Sequence, residues 1–270
     1  MSSPEPRSDT GPDAAPESAP PPVLPVAPDG TVHLGADVRG ILVDIDGVLA
    51  DHRTAADAAV YSWASTLPGW ALGPAETAEL WERLDRKHFL RYQHGEHTFN
   101  GQLLARVREF VPGAADLDDD AAQAHIDDYY AHYRARLVPY PDVAGFIAGL
   151  RDAVARRGAA GERLAVAYVT NGDEESQRIK LDAVGALVED WPLIASAEVA
   201  ASKPDPRIFA LACESIGTTP DVTVMVGDDP WSDVDGATGA GLRCVHLRRS
   251  PSAPSRPVAT IDTLARLVVD

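Results

Sequence analysis

Asp44 and Asp46 stand two residues apart at the end of the apolar run Ile41-Leu42-Val43, and Gly47 follows them at once. A short run rich in β-branched residues predicts a buried parallel strand. Strand alternation turns residues i and i+2 to the same side, so both carboxylates face one small site. Two carboxylates so close repel each other unless a cation or a shared proton stands between them. Gly47 allows the backbone a sharp turn just beyond them. The plainer account of these residues alone is a strand ending in a solvated acidic turn, and the rest of the chain decides between the two.

Three further polar groups recur in order along the chain: Thr170-Asn171-Gly172, Lys203 within Ser202-Lys203-Pro204, and Gly227-Asp228-Asp229 with Asp233 in the next turn. Taken singly, they read as a strand-to-helix turn, a solvated loop lysine, and first-turn acids favoured by a helix dipole. Their joint placement argues otherwise, because open parallel sheets bind ligands beyond the carboxyl ends of their strands.

The elements that must position these groups fall into two regions. After the Asp44 strand, four helices follow without a strand, at about residues 54–67, 74–93, 98–110 and 118–137. Each carries an apolar stripe at helical spacing, such as Val60, Trp63, Ala64 and Leu67, or Ile126, Tyr129, Tyr133 and Leu137. Pro74 opens the second, Thr98 suits an N-cap for the third, and Asp118 to Asp120 favour the start of the fourth. From Pro139 onward, helices and strands alternate, with strands expected at residues 164–170, 193–196, 222–226 and 244–247 and a last helix from about Ile261. Alternating βα units imply a parallel sheet covered by helices on both faces. The fold expected is α/β, a Rossmann-like parallel sheet core with an inserted four-helix cap. Residues 31–52 and 139–270 form the core and residues 53–138 the cap. Residues 1–30, rich in Pro, Ala and Ser, are expected to be a disordered tail that buries too little apolar surface to offset its ordering entropy.

Composition limits the function classes. The chain has 270 residues, 45% of them apolar, which suits a globular protein with a sizeable core. A formal net charge of −17 argues against nucleic acid or an anionic membrane as partner. Cys213 and Cys244 lie in apolar surroundings and form no CxxC, as expected for two reduced, buried thiols. No apolar run reaches membrane-spanning length and the N-terminus lacks a secretory pattern, so the expected location is the cytoplasm. Oligomeric state is not legible.

The motifs Asp44-Ile45-Asp46-Gly47-Val48, Thr170-Asn171, Lys203 and Gly227-Asp228-Asp229-Pro230-Trp231-Ser232-Asp233 resemble, as a set, those of the haloacid dehalogenase superfamily. The similarity is to the branch whose helical cap is inserted after the first motif. It implies that Asp44 is a nucleophile forming an aspartyl-phosphate, and that Asp46 is the acid for the leaving alkoxide and the base for attacking water. It further implies that Thr170 and the amides near Asn171 hold the phosphoryl group, and that Lys203 balances the clustered charge. Mg2+ would be held by Asp44, the backbone carbonyl of Asp46, and Asp228. Asp233 would hold Lys203 or a metal-bound water. The substrate class implied is a small phosphorylated metabolite. Dehalogenases in the family lack an acid at the Asp46 position, because a halide leaves unprotonated, so phosphate ester hydrolysis is favoured. Val48 stands where many family phosphatases have threonine, which keeps a sugar phosphomutase of the β-phosphoglucomutase kind as the alternative. A receiver-like phospho-acceptor is disfavoured by the second acid and the helical insertion.

Within the second predicted cap helix, residues 82–98 are locally basic, and Arg91 has Lys87 rather than an acid four residues before it. One account is ordinary pairing with the cap's own acids, such as Glu79 with Arg83 and Glu82 with Arg86; the other, for which Arg91 is singled out, is that Arg91 and His94 project toward the cleft and meet the leaving group. His88 is expected to pack inside the cap, and Trp231 to cover the site or pack on the cap.

Overall fold

The computed structural model describes residues 21–270. In chain order the strands are β1 (Val32–Leu34), β2 (Gly40–Val43), β3 (Ala165–Thr170), β4 (Leu193–Ala195), β5 (Thr223–Gly227), β6 (Arg243–Leu247), β7 (Ala259–Ile261) and β8 (Leu267–Val269). The helices are α1 (His52–Ala64), α2 (Pro74–Gln93), α3 (Phe99–Phe110), α4 (Asp119–Arg134), α5 (Val143–Ala159), α6 (Glu174–Ala183), α7 (Ser196–Val199), α8 (Pro206–Ser215) and α9 (Gly236–Gly239).

Six strands form one parallel sheet in the order β4-β3-β2-β5-β6-β7. β2 is central and every one of its residues is buried, which explains its unbroken apolar run. Its side chains alternate between two cores. Ile41 and Val43 pack with Val143, Phe146, Ile147 and Leu150 of α5, while Leu42 packs with Ile208, Phe209 and Ala212 of α8 on the other face. Helices α1 to α4 pack on one another around a third apolar cluster. Its centre is Trp63, stacked on Phe110 at 5.4 Å and meeting Trp81 and Tyr129 edge-on. Their starts are chemically marked. Asp51, Thr98 and Asp118 accept the N–H of Thr54, Gly101 and Ala121, and Glu76 reaches back to the Gly73 N–H ahead of Pro74. No helix among the described residues is long and apolar enough to cross a membrane.

Three expectations are corrected. Of the expected disordered tail, residues 1–20 lie outside the described residues, but residues 21–30 are not free of the fold. Leu24 is buried in the core, Val26 bridges to Val32, and the Thr31 carbonyl accepts the Ala27 N–H across a turn in which Gly30 takes φ +84°. Leu24, two residues after the proline run, packs this stretch onto the core. The chain also ends in no helix. β7 joins the sheet edge, a single 3-10 turn at Leu264–Arg266 follows, and β8 pairs in parallel with β1. Leu264 and Leu267 have helical spacing, but Leu267 opens a run with two valines that favours extended backbone. Finally, the helix expected after Asp229 is a wide π-helical turn, Pro230–Asp235, before the short α9.

Candidate active site

Asp44 follows β2 directly, Thr170 ends β3, and Asp228 follows Gly227 at the end of β5, so three adjacent parallel strands deliver them to one edge. Lys203 enters from the connection between α7 and α8. Its Nζ donates to Asp44 Oδ1 at 2.5 Å and to Asp233 Oδ1 at 2.6 Å. The other Asp233 oxygen accepts the backbone N–H of Asp228 (3.0 Å) and of Asp229 (3.1 Å), which fixes the turn after β5. Asp229 in turn caps the π-helical turn by accepting the Trp231 and Ser232 N–H groups. The glycines are there for clearance. A Cβ on Gly227 would overlap the Asp233 carboxylate, and one on Gly47, which holds φ +79°, would overlap that of Asp228. The Asn171 side chain is wholly engaged with the lysine loop. Its Nδ2 donates to the Lys203 carbonyl at 2.9 Å and its Oδ1 accepts the Lys203 N–H at 2.7 Å. Asn171 therefore pins Lys203, and only its backbone is left to meet a ligand.

Asp44, Asp228 and Asp233 bring carboxylate oxygens within 4.8 Å of one another. Burial, then the Asp233 charge, pushes the Asp44 carboxyl up to about 7, against the pull of Lys203. Burial, then the Asp233 and Asp44 charges, push Asp228 well above the usual carboxylate range, against the pull of Lys203. Burial would lower Lys203, but Asp233 and Asp44 outweigh it and raise the ammonium. Asp44 and Asp233 thus share one ammonium, with the Asp228 carboxylate crowded against them. The donors are hard oxygens and the charge deficit is cationic, which suits a magnesium-like ion.

Asp46 lines the same cavity as Asp44 but has partners of its own. Lys180 Nζ lies 2.5 and 2.8 Å from its two oxygens, Gln177 Nε2 at 3.3 Å, and His52 Nδ1 at 3.5 Å. The same His52 nitrogen lies 2.6 Å from Tyr133 Oη. Burial alone would raise Asp46, yet Lys180 and then His52 hold it well below the usual range. Lys180, Gln177 and His52 were not singled out from the sequence. A signal was present: Gln177 and Lys180 share the buried face of α6 with Leu181, and a lysine on an inward face needs an anionic partner.

The cavity measures about 850 Å³ and lies between the sheet edge and the four helices. Asp44, Asp46, Thr170, Asn171, Lys203 and Asp228 all line it. Trp231 lines its mouth and remains 51% exposed. His88 is packed inside the cap, as its stripe predicted, with Nε2 3.0 Å from Glu109. Arg91 is a correction, for it does not line the cavity, and neither does His94. Its Nε donates to Glu96 at 2.8 Å. The acid missing four residues earlier is supplied five residues later, past the helix end. Val48, the residue behind the phosphomutase alternative, packs in the core and does not line the cavity.

A parallel α/β core thus carries an acidic, lysine-bridged site at its strand ends, under a helical cover. Residues 38–241 match the haloacid dehalogenase-like hydrolase family, and the chain belongs to it. It is 32% identical over 206 residues to a phosphoserine phosphatase of Thermus thermophilus, covering 76% of this chain and 75% of that one. It is 28% identical over 216 residues to (S)-2-haloacid dehalogenase 1 of a Pseudomonas species, covering 78% and 85%. In structure it resembles the magnesium-bound HAD-hydrolase YfnB of Bacillus subtilis, with a TM-score of 0.68 at 17% identity, covering 84% of this chain and 96% of that one.

Proposed function

We propose that the protein is a Mg2+-dependent phosphatase that hydrolyses a small phosphorylated metabolite through a phospho-Asp44 intermediate. The observation that carries this reading is the pair of acids on separate lysines, Asp44 on Lys203 and Asp46 on Lys180. A dehalogenase needs only the first acid, and a phosphatase needs both. The similarity to a phosphoserine phosphatase supports the same side.

Asp44 attacks phosphorus in line with the leaving oxygen, and Lys203 keeps its carboxylate oriented and ionised against the neighbouring acids. Thr170 and the backbone amide of Asn171 meet the phosphoryl oxygens. Asp46 protonates the leaving alkoxide and later takes a proton from the water that splits the acyl phosphate. Its ionised state beside Lys180 suits the second role directly, and the first requires that Asp46 take up a proton, from solvent or from a monoanionic phosphate ester, as substrate loosens the Lys180 contact. Asp44, Asp228 and the Asp46 carbonyl would hold Mg2+, which supplies charge neutralisation of the transferring phosphoryl group. Asp233 serves as the brace for Lys203 and the Asp228 turn. A phosphate-release screen across sugar, nucleoside, amino-acid and carboxylic-acid phosphates tests the reading, and turnover of none of them, with Mg2+ present, would contradict it.

A further inference from the structure

The cap wall of the cavity holds polar groups that a helical bundle does not need for its own stability. Arg106 on α3 is only 7% exposed and lines the cavity among Trp81, Leu103 and Tyr129. Its guanidinium sits 4.2 Å from the Trp81 ring centroid, one Nη donates to Asp85 of α2, and its Nε is buried without a partner. The Asp85 side chain is 51% exposed and also lines the cavity. Gln102, one helical turn before Arg106, is 2% exposed, lines the cavity, and has a buried, unpartnered Oε1.

Burying a cation in a bundle core carries a desolvation cost that an apolar residue of similar volume avoids. Unpaired buried polar atoms add to that cost. The other arginines of this wall, Arg53, Arg86 and Arg134, are exposed, and the first two pair with Glu82. Arg106 is also close to the chemistry. The charges of Arg106 and Asp85 both act on His52, whose Nδ1 is 3.5 Å from Asp46, and both act on Tyr130, which also feels Asp46. The pair and Asp46 line the same cavity, the pair from the helical cover.

We propose that Arg106, Asp85 and Gln102 form a leaving-group subsite that selects phosphate esters of α-amino acids. The subsite rests on the phosphatase reading above. The leaving group's carboxylate meets the Arg106 guanidinium, its ammonium meets the exposed Asp85 carboxylate, and Gln102 completes the polar contacts. A fixed cation and anion side by side match a zwitterion. A purely anionic group would face repulsion from Asp85, and a polyol would leave both charges without a charged partner.

The test compares kcat/KM for O-phosphoserine, its decarboxylated analogue phosphoethanolamine, its deaminated analogue, glycerol phosphate and a small aryl phosphate. O-phosphoserine is expected to exceed each of the other alkyl esters by about tenfold or more, the scale of one lost charged hydrogen bond. Arg106→Met lowers kcat/KM for O-phosphoserine about tenfold to a hundredfold further than for the aryl ester, mainly through KM, and Arg106→Lys recovers part of it. Asp85→Asn narrows the gap between O-phosphoserine and its deaminated analogue. Asp85 is half exposed, so this second variant keeps the test decisive if Arg106→Met fails to fold. Glycerol phosphate turned over as well as O-phosphoserine, or parallel losses on all esters in both variants, would overturn the subsite while aryl phosphate turnover upholds the phosphatase. No turnover of any ester would overturn both.

Discussion

Lys180 and Asp46 meet through both carboxylate oxygens, at 2.5 and 2.8 Å, although 134 positions separate them in sequence. The second acid of Asp44-Ile45-Asp46 is thus restrained from α6, while the first is restrained by Lys203 from the other face of the sheet edge. Two acids two residues apart are kept from interfering by separate cations.

This separation predicts a split by leaving group. Asp46→Asn should lower kcat about 10²–10⁴-fold on an alkyl phosphate and far less on an aryl phosphate, whose leaving group needs no proton. Lys180→Met leaves Asp46 in place but unrestrained, so its loss should follow the same order at smaller size. Steady-state kinetics on the two esters check this, and equal losses on both would remove Asp46 and Lys180 from proton transfer.

Lys203 neutralises buried Asp44 and Asp233. Removing one partner from a buried ion pair costs about 3–5 kcal/mol, so Lys203→Met should lose that order of stability as well as activity. Urea unfolding in metal-free buffer measures it. A change near zero would mean that the lysine is not the main counter-charge.

The crowding of Asp44, Asp228 and Asp233 predicts a metal effect that needs no turnover. Mg2+ should raise the melting temperature of the wild type and should do so much less in Asp228→Asn. In chelator the order should invert, with Asp228→Asn melting above the wild type, because one of three mutually repelling carboxylates has been neutralised. A wild-type melting temperature indifferent to Mg2+ would contradict the site.

Asp142 gives a pH dependence away from the chemistry. It accepts two bonds from Arg249, at 2.9 and 3.0 Å, one from Thr263 at 2.6 Å and one from the Leu264 N–H at 2.8 Å. Burial would raise its carboxyl, but these donors outweigh burial and lower it. A folded-state value below the unfolded one contributes stability that is fully present above the unfolded value and is lost as pH falls through the folded value. Hydrogen bonds to a charged group contribute about 1.5–3 kcal/mol, so Asp142→Asn should cost that much at neutral pH. The difference from wild type should shrink below about pH 4, as denaturant unfolding at several pH values would show.

Arg91→Ala should change neither kcat nor KM and should alter stability by less than about 0.5 kcal/mol, because its Glu96 pair is exposed. A raised KM on the alkyl ester alone would return Arg91 to the cleft.

The parts of the fold legible in the sequence were those with local chemical marks. The run Gly40–Val43 could be read as a fully buried strand, and α2 began at Pro74 and ended at Gln93 as its proline and following glycine indicated. The end of the chain was illegible because Leu264 and Leu267 satisfy helical spacing and strand pairing equally, and only β1, 235 residues earlier, decides between them. The site divides in the same way. Of the residues that line the cavity, Asp44, Thr170 and Asp228 were visible because each lies at a strand end, and Lys203 only through the ordered set of motifs it completes. Lys180 and Arg106 were hidden because each looks like an ordinary helical cation until its depth is known. Arg91 misled for the complementary reason, since its partner lies beyond the helix end, where i±4 bookkeeping does not reach.

The central claim, a covalent phospho-Asp44, is tested most directly by a single turnover with Mg2+ and an aryl phosphate, quenched in acid and digested for mass spectrometry. The account predicts one phosphoryl group on the peptide containing Asp44, accumulating in Asp46→Asn, which is slow to activate water, and absent from Asp44→Asn. Phosphate released at the wild-type rate by Asp44→Asn, or a phosphoryl group carried on any other residue, would contradict it.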